Sequence, residues 1–484
     1  MRRFVIFLVV LALLVTTCGA ALAEETPPLY RVGWAHTLGG DGDELLDISV
    51  ASDGSIWLAG YAVSDSNGPD GANVSDDALG GEDGWVTLMD SAGNTLWSKR
   101  YGGSGDDRLH QIQPLSDGGA VILGETTSSD GQVKNQRGSK DAWVIRVDAE
   151  GELVWQKCLG GTLDDGLTAM RLSSNVLTES GGTEDRIILA GWSKSYNNDL
   201  ERNDGGKDAW ACAIRLEDGR SSWQYSMGEA GDDWFSILLS DRLGVMAIGG
   251  ATRVDAQGVQ QAAPLMVIIG NDGSEVSVTR LQLKGDAWIN DAVVANDGWL
   301  LAGRMGTQNS DAWLGHVTSD GSFNATYLEG NTNGQLTIIR QYTFNITLAV
   351  GTLDSQSSSL TGVHGGRDAW AVGLTRDRVQ WEQALGGSGV TTPLNIQRRS
   401  DGRYMIALST TSSDGDLRSR EEKGAAWMVL LDANGNLTRH NVLAPYADQR
   451  FTEAVATPDS GLAFVGRALD VDGQWRAAIM KAVQ

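Results

Sequence analysis

The chain has 484 residues, with 62 Asp and Glu against 38 Lys and Arg, a formal charge of −24. Charge of that sign argues against nucleic acid and anionic membrane surfaces as partners and favours solubility. Three cysteines exclude a disulfide framework, and a chain of this length can bury a sizeable core without one.

Residues 1–23 have the pattern of an export signal. Arg2 and Arg3 open it, Phe4 to Val15 is apolar, and Ala21-Leu22-Ala23 precedes Glu24 and Glu25. The apolar run is too short to span a bilayer, so removal after Ala23 is expected, leaving 24–484 as one domain. Lipid attachment at Cys18, after Val15-Thr16-Thr17, is the alternative. No later stretch has the length and apolarity of a transmembrane helix. Cys158 and Cys212 remain as either two buried thiols or one bridge between neighbouring units.

From there the chain repeats. Apolar strands ending in Gly60, Gly124, Gly191, Gly249, Gly303, Gly351, Ser409 and Gly466 recur at steps of 48–67 residues, which makes eight units. Trp85, Trp143, Trp210, Trp313, Trp370 and Trp427 each open a later strand, usually as Asp-Ala-Trp, with Met266 and Trp475 expected in the two missing places. The second unit shows four strands: Arg108 to Leu115, Ala120 to Thr126, Asp141 to Val147, and Leu153 to Leu159. Turns at Ser116-Asp117-Gly118-Gly119 and Asp148-Ala149-Glu150-Gly151 join the first to the second and the third to the fourth. No helical period is sustained.

Four antiparallel strands per unit, one glycine and one tryptophan in each, predict an all-β, eight-bladed β-propeller. The chain starts with a lone fourth-type strand, Tyr30 to Leu38, and ends on a third-type strand, Trp475 to Val483. Pairing the two closes the ring and hides both edges.

The run Gly102-Gly103-Ser104-Gly105-Asp106-Asp107 and the Asp141 to Gly151 segment (Asp-Ala-Trp-Val-Ile-Arg-Val-Asp-x-x-Gly) resemble the SBBP-type repeat of bacterial secreted β-propellers. Units one to three and six carry the resemblance best, while units four and five depart from it. It implies the fold and an extracellular address, and no activity.

Long loops, at Val63 to Asp83, Thr126 to Asp141, Trp192 to Asp208, Gly351 to Asp368 and Ser409 to Ala426, all fall at one end, which is the expected binding face. The other end should carry turns of two to four residues. Asp43, Asp107, Asp165 and Asp233 enter first strands on the long-loop face. Such a ring could hold calcium, or each carboxylate could fix its own loop by accepting N–H groups; the second reading is preferred because the feature repeats. Asp65, Asn67, Asp70, Asp76 and Asp77 crowd one loop, but Pro69 and the lack of a closing glutamate or flanking helices set it apart from an EF-hand.

Other chemistry finds no support. The glycine pairs precede strands, where a phosphate cradle needs a helix N-terminus. His36, His110, His316, His364 and His440 have no metal spacing, and no G-x-S-x-G elbow occurs. Asp90 to Trp97 and Asp148 to Trp155 are similar to the tryptophan-docking motif of eight-bladed quinoprotein propellers, but the adjacent cysteine pair often found at their quinone site is absent. The expected function is a monomeric extracytoplasmic binding module for a protein or glycan at a bacterial cell surface. The alternatives are a glycan-active hydrolase or lyase, a degenerate quinoprotein, or a purely structural module.

Overall fold

The computed structural model describes residues 28–484 apart from 64–78, 179–180, 201–202, 255–259, 307–309, 329–332, 344, 355–359, 361, 376–377 and 418–423. The expected export segment, Cys18, and the loop with Asp65, Asn67, Asp70, Asp76 and Asp77 lie outside the described residues.

Eight four-stranded antiparallel sheets follow one another in chain order around a ring, an eight-bladed β-propeller. Blades 1 to 7 take their strands from the axis outward, over residues 44–101, 107–159, 165–227, 233–280, 287–328, 335–385 and 391–443. Blade 8 takes three strands from 449–483 and its outermost from Arg31–Leu38. The closure expected from the chain ends is present: Arg31 lies opposite Val483 and Leu38 opposite Ala477. Just before this strand, the Tyr30 backbone exchanges hydrogen bonds with the Asn441 side chain of blade 7, at 3.2 and 2.8 Å.

Burial follows from the layering. A third strand lies between two neighbouring sheets, so every residue of Asp83–Met89 and of Ala425–Leu431 is buried. Trp85, Trp143, Trp210, Trp313, Trp370 and Trp427 are at most 2% exposed. Two expected equivalents are corrected by register. Leu265 and Ala478 stand opposite Gly249 and Gly466, where Met266 and Trp475 were expected, and in blade 7 it is Leu408 that faces Trp427.

The repeating glycine has a packing cause. Every first strand carries a bulge at the same depth, for example between Leu45 and Asp47 and between Leu109 and Gln111. The bulge pushes a carbonyl against the second strand. A Cβ at Gly60 would sit 1.9 Å from Glu44 O, and one at Gly124 2.1 Å from Arg108 O. Glycine takes that approach in seven blades, while in blade 7 Leu408 stands at the position, opposite Pro393. Cys158 and Cys212 are both free and buried, in separate apolar clusters, so the bridge is not formed. Burial pushes the Cys158 thiol up to about 12 and raises that of Cys212 as well. Among the described residues no helix is long and apolar enough to cross a membrane.

Candidate functional site: the long-loop mouth of the channel

The four aspartates singled out by sequence are pegs inside their own blades. Asp43, Asp107, Asp165 and Asp233 are at most 2% exposed. Asp43 accepts the N–H groups of Gly40 and Val63 at 2.6 and 2.7 Å. Asp107 accepts Gly103 N–H at 2.8 Å and the Ser128 hydroxyl at 2.7 Å, and also takes the Thr126 hydroxyl. Asp165 repeats this set with Gly161 N–H at 2.6 Å, the Ser195 hydroxyl at 2.8 Å and Ser193. Asp233 accepts Glu229 N–H at 2.8 Å. Burial raises the pKa of Asp107 and of Asp233 despite these bonds. Among the described residues no three His, Cys, Asp or Glu side chains converge in the manner of a metal site.

The partners of these pegs form a motif that the sequence reading missed, Thr/Ser-x-Ser-x-Asp/Asn. Thr126-x-Ser128-x-Asp130, Ser193-x-Ser195-x-Asn197 and Thr410-x-Ser412-x-Asp414 all follow second strands. The serine holds the peg, and the final side chain accepts an N–H from the glycine loop: Ser104 at 2.7 Å, Thr162 at 3.1 Å and Ser388 at 2.7 Å. Blade 7 replaces the peg by Thr391, whose hydroxyl meets that of Thr410 at 2.9 Å. The signal was available as a second repeat inside the long loops.

A second ring of buried carboxylates comes from the Asp-Ala-Trp positions, and the two rings meet between blades. A Cβ at Gly160 would lie 2.5 Å from Asp165 Oδ2 and 3.0 Å from Asp141 Oδ1, so this glycine sits between acids of blades 2 and 3. Burial pushes Asp141 up to about 6, and the Asp165 charge adds to the shift. The Asp83 charge of blade 1 likewise adds to the rise of Asp107 in blade 2, and within blade 1 Asp83 meets the buried Arg100 guanidinium at 3.2 Å.

The rim of the mouth is set by the next residue along. One step past each peg the first strand places Glu44, Arg108, Gly166 and Trp234, paired across to Tyr61, Glu125, Trp192 and Gly250. Blades 5 and 8 continue the tier with Trp288 opposite Arg304 and Arg450 opposite Arg467. The centre of this face is therefore aromatic and mixed in charge, where the sequence reading expected acid. Arg108 lies 4.7 Å from the Tyr61 ring centroid, Lys207 4.0 Å from Trp192, Arg304 4.2 Å from Trp288 and Arg450 5.1 Å from Trp475. Such pairs hold a cation without neutralising it.

The opposite face departs from short turns at blade 3. There the strands Asp165–Leu177 and Thr183–Ser193 extend past their neighbours, and Leu177 is 72% exposed beside a cleft shared with Leu243 and Val276. Beneath this face runs the docking expected from Asp148 to Trp155. The rings of Trp34, Trp97, Trp155, Trp223 and Trp381 pack on Gly93, Gly151, Gly219, Gly273 and Gly435, each in the turn of the following blade.

No family model matches the chain, and no curated protein matches it. Among solved structures it is similar to a mutant of the Synechocystis apocarotenoid oxygenase, at 12% identity and a TM-score of 0.41, over 86% of this chain and 94% of that one. It is also similar to the Neurospora crassa Pan2 WD40 domain, at 11% identity and a TM-score of 0.42, over 94% and 97%. Likeness this distant carries no argument about ligand or chemistry.

Proposed function

We propose that this chain is an extracytoplasmic, non-catalytic binding propeller that recognises a protein or glycan at a bacterial cell surface through its long-loop face. One observation carries the reading: the rim holds aromatic rings and cations at one tier while the nearby aspartates are buried in their loops. Aromatic bodies with polar or charged tips are what recognition surfaces use. The resemblance to SBBP-type repeats and the signal-like residues 1–23 support the address. The test is binding of the 24–484 protein to bacterial cell-envelope fractions. Saturable binding is expected, weakened in a rim variant (Lys207→Gln with Arg304→Gln) and kept in a variant of the opposite face (Leu177→Ala with Leu243→Ala). Absence of binding, or equal loss in both variants, counts against the proposal.

The hydrolase alternative has one observation on its side. Asp47 and Glu453, on the first strands of blades 1 and 8, form a pair in which burial raises both pKa values. Asp47, however, accepts Ile112 N–H at 2.6 Å from blade 2. Asp291 takes Ile339 N–H at 2.9 Å, and Asn395 donates to Ala454 O at 2.9 Å, at the same position in other blades. The pair thus belongs to the side-chain stitching that joins neighbouring first strands.

A further inference from the structure

The rim is not uniform, and its arc over blades 3 to 5 differs from the rest. Trp192, Trp234 and Trp288 occupy one tier on three successive blades, each half-buried. Trp234 is the open platform. One part of its ring lies against Gly250, where a Cβ would come within 2.6 Å, and among the described residues no cation lies over it. On either side a cation is held over the neighbouring ring, Lys207 over Trp192 and Arg304 over Trp288.

Those two cations stand out in a chain with 62 acidic residues. Elsewhere on the rim Arg108 pairs with Glu82 and Lys140 with Glu125, and within the arc Lys194, 5.7 Å from the Trp192 centroid, pairs with Asp164. The acids of the arc are engaged otherwise: Glu229 pairs with Arg280 at 3.0 Å, while Asp232 and Asp286 accept the backbone N–H groups of Lys207 and Ala262. Among the described residues neither Lys207 nor Arg304 has a carboxylate partner. A guanidinium lying over an indole keeps its N–H edge for an external carboxylate. A flat apolar platform between two unneutralised cations matches a sugar ring flanked by acidic groups.

We infer that the arc of Trp192, Trp234 and Trp288 binds an acidic glycan, stacking a sugar ring on Trp234 and placing uronate carboxylates against Lys207 and Arg304. This deepens the proposed function and rests on it. The test titrates the 24–484 protein with tetragalacturonate, oligomannuronate and hyaluronan oligosaccharides, followed by calorimetry and tryptophan fluorescence. At least one should bind saturably, about 10-fold more weakly in its carboxyl-reduced form and progressively more weakly as salt is added. Trp234→Ala and the pair Lys207→Gln with Arg304→Gln should each weaken it by about 10-fold, while Trp234→Phe, which keeps a ring, should retain most of the affinity. The inference is overturned if none of the three binds, if carboxyl reduction changes nothing, or if folded Trp234→Ala binds as the parent does. Envelope binding that persists when all three acidic glycans fail would sink this inference alone; loss of both would remove the proposed function as well.

Discussion

Blades 8 to 3 and blades 4 to 5 are built from the same four strands but joined differently. From blade 8 through blade 3, each outer strand lays a tryptophan on a glycine of the next blade's turn, and Asp107 and Asp165 are held by loop N–H and hydroxyl groups. Between blades 4 and 5 the docking position is Ser277, opposite Ile268, and nothing approaches Gly321 within 4 Å. Leu265 there replaces the buried tryptophan of the third strand. The fold survives because first-strand bulges, second-strand glycines and apolar third strands persist in these blades too. The ring therefore closes without a dock at every junction, and the rim of the two blades that share the undocked junction displays Trp234 and Trp288.

If closure matters more than any junction, removing residues 28–40 should have the largest effect of all. That deletion exposes an edge of blade 8 and unties blade 7 from Tyr30. The truncated protein should lose its cooperative melting transition in circular dichroism. A transition within a few degrees of the parent would show that the ring holds without its closing strand.

Next in size is Trp143→Ala in the well-joined region. Trp143 is fully buried and its indole N–H donates to Gln156 at 2.9 Å. Loss of a large aromatic from a packed core costs roughly 3–5 kcal/mol. Denaturant unfolding should show a lower midpoint at an unchanged slope.

The seam between blades 8 and 1 should answer to pH. Burial and the neighbouring Asp47 carboxylate raise the pKa of Glu453, so the folded state holds a proton that the unfolded chain releases. Stability is then full in acid, below the ordinary carboxylate value, and falls as pH rises past neutrality through the raised one. Glu453→Gln should melt like the parent at pH 5 and a few degrees higher at pH 9. Equal melting at both values would show that the pair is not charge-strained.

Much of this was legible in sequence because the ring imposes period. Gly60, Trp143 and their counterparts mark one depth in each blade, and the spare strand at Arg31–Leu38 announced the closure. The site was less legible for a local reason. Asp107 and Asp165 repeat more regularly than their neighbours because they are pegs, whereas Glu44, Arg108, Gly166 and Trp234 share one tier with no common residue type. A repeat displays what the scaffold conserves from blade to blade. It hides a binding rim, whose residues must differ around the ring to recognise anything asymmetric.

The smallest effect separates two docks that look alike. Trp155 Nε1 donates to Leu216 O at 3.1 Å, as Trp97 Nε1 does to Ala149 O at 2.8 Å. Trp223 packs on Gly273 in the same way, and the carbonyl two residues before Gly273, Asn271 O, accepts Arg186 at 2.5 Å, as Leu216 O accepts Arg146 at 3.0 Å beside Trp155. Among the described residues the buried Trp223 indole N–H has no partner. Phenylalanine keeps an aromatic ring at the dock while it removes the N–H and part of the indole's packed area. Trp155→Phe therefore loses a hydrogen bond, at a cost of about 0.5–1.5 kcal/mol, while Trp223→Phe relieves an unsatisfied donor whose burial costs about 1–3 kcal/mol. Some packing area is lost in both, so the expected result is an ordering: Trp155→Phe less stable than the parent, Trp223→Phe equal to it or more stable. Denaturant midpoints measured side by side decide it, and the reverse order would mean that the indole N–H of Trp223 is satisfied after all and that the last dock before the undocked blades is as sound as those before it.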